Sequence, residues 1–521
     1  MRSRTTGFRQ VKVSLADLLG TAFVRKAREA RAQLTGERLT ELERLAAEKV
    51  DLYPKRVHSR LTALLPKVGR AVARPVRRSA VGAATEQFQA NAHTDAAPLS
   101  AFGYYRVGED GRLYLISKSE HYHVALGHSF PGFALLDRAR RLGLPNATHN
   151  NTRGHITRTL EMELVRLAAG LARSDRAALR RVLTSERSNI LNRVLNIQTG
   201  SLAAEAALKI VLSRFYRVQS DSTTPPYVGR VPVIVVVGDT SGDLAGNYHG
   251  TTVVGQLLRG MWPDFLRGLQ STGLLEVRAI RPNRMEDFER TLDECERPPR
   301  KVAAFFHELV MMNYAATRLD EAFVRRAYRL CAQRDIPTVV DEIQTCLWST
   351  RLLMFHEYGV QPSVVVVGKG FSGGEYAASR LICTAELDRL PQFGALVTNG
   401  QEEISSLAYL VSIRWAEVNA GVITDVGQYY ECRLRELADR YSQIISGIGG
   451  CRHLCSINFH ELPAARKFVS AANKAGLDIS VQTYKADCPP SALTKLPLIA
   501  GFEVVDAMFD RIEQVIESID R

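Results

Sequence analysis

The chain has 521 residues, enough for two or three domains and a large core. Its 45% hydrophobic and 24% charged content is ordinary for a soluble globular protein. No apolar run approaches a membrane span and no signal-peptide pattern opens the chain, so a cytoplasmic location is expected. The net charge of +13 is uneven: residues 1–100 hold 19 Lys/Arg against 9 Asp/Glu, so +10 belongs to the amino-terminal segment.

Residues 12–88 carry Leu15, Leu18, Leu19, Phe23, Leu39, Leu42 and Leu45 near helical spacing, and Pro54, Pro66 and Pro75 divide them into short helices. The cluster Arg74, Arg77 and Arg78 could meet nucleic acid or an acidic partner; a solvated helical face is the plainer reading. Residues 89–100 are small and polar, as in a linker. A second unit starts near Ala101, with a hairpin turn at Gly108-Glu109-Asp110-Gly111 and a turn into a helix at Gly127-His128-Ser129-Phe130-Pro131. His121, His123 and His128 lack paired carboxylates, and Cys451, His453 and Cys455 lack further ligands, so no metal site is expected. The eight scattered cysteines read as isolated thiols in a reducing compartment.

From Thr157 onward helices and strands alternate. Strands are expected at 231–237, 302–307, 337–341 and 364–367, with helices through 171, from Thr199-Gly200-Ser201, and at 320–333. This alternation predicts an α/β fold with a largely parallel or mixed sheet. A long helix follows Ser405, and the last hundred residues read as a smaller α+β unit.

Chemistry concentrates at four places. Four valines, 364–367, end at Gly368, Lys369 and a glycine-rich turn. A phosphate-binding P-loop is excluded because Ser363 stands where its first glycine is needed. What remains is a strand-end lysine whose amine can form a Schiff base. Thr199-Gly200-Ser201 heads a strong helix and exposes free N–H groups that suit a phosphate, or is an ordinary cap. Asp341 ends a buried apolar run and needs a partner, for which a protonated pyridine nitrogen is one candidate. Tyr248-His249-Gly250 offers an aromatic face beside flexible backbone, or core packing. His307-Glu308 lacks the second histidine of a zinc-protease helix, since position 311 is Met. The Gly370-x-Ser372-x-Gly374 pattern is set aside because Lys369 takes the strand-end place.

The order 199–201, 248, 341, 369 resembles the class III (fold type I) aminotransferases, which carry pyridoxal 5′-phosphate. The resemblance runs from about Gly108 to the carboxyl terminus and includes the 28-residue spacing from Asp341 to Lys369, Glu308 at a strand end, and Thr398-Asn399-Gly400. It implies a large domain with a central, mostly parallel sheet over 166–405. A small α+β domain would be built from 96–165 and 406–521, with a basic helical extension over 1–95. It further implies that Lys369 holds the cofactor as an internal aldimine and shuttles the proton. An amino-acid donor then passes its amino group through a pyridoxamine phosphate intermediate to an aldehyde or ketone. Asp341 would keep the pyridine nitrogen protonated, Tyr248, with His249 beside it, would stack on the ring, and Gln344 would lie near its phenolic oxygen. Thr199, Gly200, Ser201 and Thr398 would bind phosphate, Thr398 from the neighbouring subunit of a homodimer. An aminomutase, racemase or decarboxylase of the same fold is the alternative, as is a binding protein with a degenerate site. Neither a membrane nor nucleic acid is expected as a partner.

The sequence departs from that pattern in three places. Leu309-Val310-Met311-Met312 follows Glu308, Cys346-Leu347-Trp348-Ser349 replaces a glycine-rich stretch, and only Lys495 stands near the usual carboxylate-gripping arginine. A bulkier, more apolar carbonyl substrate is therefore expected, and the extension is read as a lid or docking surface over the site.

Overall fold

The computed structural model describes residues 7–90, 97–118, 124–146, 152–395, 397, 400–482 and 488–520. Its centre is a seven-stranded sheet. Numbered along the chain, the strands are β1 (Leu191–Ile197), β2 (Val231–Val237), β3 (Glu276–Ile280), β4 (Arg300–Glu308), β5 (Thr338–Asp341), β6 (Val364–Val367) and β7 (Ser379–Thr384). In space they run β1-β7-β6-β5-β4-β2-β3. Every pairing from β6 to β3 is parallel; β7 alone is reversed, antiparallel to both β6 and β1. The carboxyl ends of the other six strands therefore share one edge, where open α/β sheets bind ligands.

The sheet forms because its central strands are runs of β-branched residues that helices cover on both faces. Strands β2 and β6 match the expected spans, and β4 and β5 shift by one or two residues. Strands β1, β3 and β7 were not legible. Their sequences, such as LNRVLNI and SRLICT, carry polar residues that only the folded chain satisfies. Arg380 is the clearest case: its buried guanidinium donates to the carbonyls of Ile197 and Ser379 at 2.9 and 2.8 Å and to Ser406 Oγ at 3.1 Å.

Helix Glu403–Arg440 is buried on nearly every side as far as Ala416 and on one face beyond it. Two further four-stranded sheets accompany the central one. One comprises Ile445–Cys451, Leu454–Phe459, Ser491–Thr494 and Ser480–Val481. The other joins early and late sequence, since Leu113–Ile116 pairs in parallel with Leu477–Asp478. The Gly108–Gly111 turn connects Tyr105–Gly108 to Leu113–Ile116 as expected. The linker read over 89–100 is shortened, because Pro98–Phe102 forms an exposed edge strand, a setting that tolerates proline.

The amino-terminal segment folds as helices Leu15–Leu19, Thr21–Thr35, Leu39–Ala47 and Lys55–Thr62, with an unforeseen strand pair, Lys12–Val13 on Val50–Asp51. Leu15, Leu42, Leu52 and Leu61 join the same buried cluster as the long helix. Phe8 and Tyr53 pack on Trp415 at 5.6 and 6.0 Å, and Asn419 Oδ1 accepts the Arg9 N–H at 2.7 Å. Among the described residues, no helix is long and apolar enough to cross a membrane.

Candidate active site

The functional side chains converge because the sheet places them. Strand β6 ends at Gly368, where an added Cβ would lie 2.6 Å from Ser379 Oγ, so β7 approaches only a glycine. The chain then turns sharply through Lys369–Ser372, with Lys369 at φ 28°, a region L-residues rarely occupy. Burial pushes the Lys369 amine down from 10.5 to about 8, although Asp341, Glu308 and Cys346 favour its charge. An amine so poised is a competent nucleophile near neutral pH.

Asp341 ends β5 one strand away. Its Oδ1 accepts the Ile343 N–H at 3.1 Å, and its Oδ2 accepts from His249 Nδ1 at 3.0 Å. His249 is fully buried against Phe306, so the carboxylate is held from behind by a ring that cannot swing away. Glu308, at the end of β4, accepts the Tyr248 N–H at 3.3 Å. The Tyr248 ring faces the cavity with the Arg259 guanidinium 5.4 Å from its centre.

Helix Gly200–Leu212 begins at the end of β1. Its cap residue, Thr199, makes no side-chain capping bond, which leaves the first N–H groups available. Two glycines keep that end open. At Gly200 a Cβ would meet Ile343 at 2.7 Å, and at Gly250, φ 94°, it would meet Ser201 at 2.6 Å. Ser201 Oγ accepts the Thr251 N–H at 3.1 Å, which clamps the loop to the helix.

These groups line one cavity of about 550 Å³. Thr199, Gly200, Ser201, Tyr248, Glu308, Asp341, Gln344 and Lys369 all face it. His249 does not; it stands behind Asp341 as an orienting group. Thr398, like His121 and His123, lies outside the described residues. Ser372 also lines the cavity, as do Ile343, Glu375, Tyr376 and Ser379, which no sequence pattern marks as site residues. Ser372 sat within the set-aside glycine-rich pattern, the one signal that could have marked it. Lys495 is not among the residues that line the cavity. Its Nζ donates to the Gln344 carbonyl at 2.7 Å and to Gln344 Oε1 at 3.2 Å, 3.7 Å from the centre of the Trp348 ring. Among the described residues, none of the amino-terminal segment lines the cavity. The segment stands behind its wall instead, through the ring contacts Tyr53–Phe130, Phe130–Phe133 and Phe133–Tyr376 at 6.3, 5.5 and 5.5 Å.

The profile of the family described as aminotransferase class-III matches residues 97–516. The chain belongs to that family. Among curated proteins, this class-III member is 27% identical over 232 residues to an ornithine aminotransferase of Plasmodium yoelii yoelii, covering 42% of this chain and 54% of that protein. It is 26% identical over 294 residues to the ornithine aminotransferase car2 of Schizosaccharomyces pombe, covering 53% and 56%. The chain thus spans about half the length of the curated relatives it matches. Among solved structures, the ornithine aminotransferase from Toxoplasma gondii ME49 superposes with a TM-score of 0.65 at 20% identity, covering 82% of this chain and 92% of that one. A transaminase from the marine bacterium Virgibacillus gives 0.63 at 16% identity, with coverage of 85% and 98%. These likenesses establish the class-III fold. Residues 1–96 lie outside the family match.

Proposed function

We propose that this protein is a pyridoxal 5′-phosphate-dependent aminotransferase. It would move an amino group from an amino-acid donor to an aldehyde or ketone acceptor on a bulky or apolar skeleton. The observation that carries this reading is the meeting, in one cavity, of a desolvated lysine, a buried oriented carboxylate and an open helix start. That donor set fits the cofactor: Asp341 for its pyridine nitrogen, Lys369 for its aldehyde carbon, and Gly200 and Ser201 for its phosphate. When bound, the cofactor supplies a ring that accepts the electron pair released at the substrate carbon. The chain's residues do the rest. Asp341 would hold the pyridine proton, Tyr248 would offer its face to the ring, and the Lys369 amine would carry the proton to and from the substrate carbon.

Lys495 donates to Gln344 and does not line the cavity, which supports a substrate without a carboxylate gripped at that place. Tyr248, Ile343 and Tyr376 offer apolar faces in keeping with a bulky acceptor. A small domain built from 96–165 and 406–521 is supported by the pairing of Leu115 with Leu477. Free thiols at all eight cysteines support a cytoplasmic location.

The test is the visible spectrum of the purified protein during addition of a panel of amine donors. Wild type should be yellow, bleach with its donor, and recover when a carbonyl acceptor is supplied. Lys369→Ala should not cycle. A protein that takes up no pyridoxal phosphate, or a Lys369→Ala variant that turns over equally well, overturns the reading.

A further inference from the structure

A second cavity, of about 470 Å³, lies between the amino-terminal segment and the body. Its cations come from separate stretches of chain: Lys12 and Lys49 from the amino-terminal segment, Arg173 and Arg176 from the turn and helix start after His155–Ala168, and Arg414 from the long helix. Five cations thus face two carboxylates, Asp17 and Glu163.

Both carboxylates are already engaged. Glu163 is held by Arg166 at 2.8 Å and by Arg173 at 2.5 Å, and Arg173 also reaches Glu417 at 2.6 Å. Asp17 accepts the Ser14 N–H at 2.8 Å as part of a helix cap, with Lys49 3.9 Å away. Lys12, Arg176 and Arg414 remain. Among the described residues, none of the three has an ion pair or a side-chain hydrogen bond. Arg414 is half-buried and feels the Asp17 carboxylate across the cavity, but it makes no hydrogen bond or ion pair that would replace the hydration it has given up. Cations gathered in a concave, partly desolvated space focus their field on whatever enters it. The forked donors of a guanidinium match phosphate oxygens.

We propose that this cavity binds a small polyanion carrying two or more phosphate groups. The concave shape suits a small molecule rather than a macromolecular surface. Lys12 and Lys49 lie outside the family match, whereas Arg173, Arg176 and Arg414 lie within it, so the site is completed by the amino-terminal segment. It also gives that segment's positive charge a use that does not involve the active site.

The test titrates inorganic pyrophosphate calorimetrically into the full-length protein loaded with pyridoxal phosphate, at about 0.15 M salt, where exposed charges are screened. The same titration on Lys369→Ala separates this proposal from the aminotransferase reading, because the second cavity contains no part of that machinery. Wild type and Lys369→Ala should both bind one pyrophosphate per chain, and pyrophosphate should raise the melting temperature. Arg414→Gln, which breaks no hydrogen bond or ion pair of the fold, should weaken binding by about tenfold or more, and Lys12→Gln by a smaller factor. The proposal is overturned if wild type shows no saturable binding, if both variants bind as wild type does, or if sulfate binds as tightly as pyrophosphate.

Discussion

Lys369 shows how one side chain's chemistry is set by its surroundings. The amine's ordinary value is 10.5, and burial brings it to about 8 against the pull of Asp341 and Glu308. About a tenth of such an amine is neutral at pH 7 and about nine-tenths at pH 9. The rate at which cofactor-free protein captures pyridoxal phosphate should therefore climb through about pH 8 and level off. A rate that rises only above pH 10 would mean that the amine is not desolvated. The same shift bears on stability. The folded state binds this proton less tightly than the unfolded state, so cofactor-free protein should gain stability as pH rises from about 8 to 10.5, and Lys369→Met should lose that slope. Urea titrations across that range read the sign directly. Other residues needed the fold to be understood. His249 and Asp341 are 92 positions apart, and only the adjacent β2 and β4 ends, with β5 beyond, bring them to 3.0 Å.

The elements differ in how plainly the sequence announces them. Valine runs such as β2 and β6 can be read directly, because a strand buried on both faces has little choice of composition. Strand β7 reads poorly because its buried Arg380 is satisfied in part by the Ile197 carbonyl and Ser406, which lie far from it in sequence. The amino-terminal helices were legible as helices, but not the surface they cover. Trp415 is the hub of that contact, with Phe8, Tyr53 and Phe130 within 5.6 to 6.0 Å. Trp415→Ala should lower stability by about 3–5 kcal/mol in denaturant unfolding and open the amino-terminal segment to proteolysis. A loss of less than about 1 kcal/mol would show that the segment is held elsewhere.

At the scale of the whole molecule, the homodimer remains a proposal with a visible place to look. Met261, Trp262 and Phe265 are 42%, 52% and 51% exposed and follow closely on the Tyr248 loop. Large apolar side chains near one another at the surface are where such an interface would be sought. Sedimentation equilibrium should give twice the chain mass, and Trp262→Glu with Phe265→Glu should shift the population to monomer. A wild-type monomer at micromolar concentration, still carrying cofactor, would remove the dimer and with it the expected role of Thr398.

Taken alone, the sequence determined the α/β class, the strand-end lysine, the carboxylate 28 residues before it and the helix start suited to phosphate. Each depends on local spacing, and local spacing is what a linear chain records. Tertiary structure alone decided that His249 orients Asp341 rather than facing the cavity. It also decided that Lys495 serves Gln344, that the amino-terminal helices share the main core, and that Arg414 meets Lys12 across a second cavity. Those relations join residues tens to hundreds of positions apart. Long-range packing makes them, and no pattern along the chain carries it.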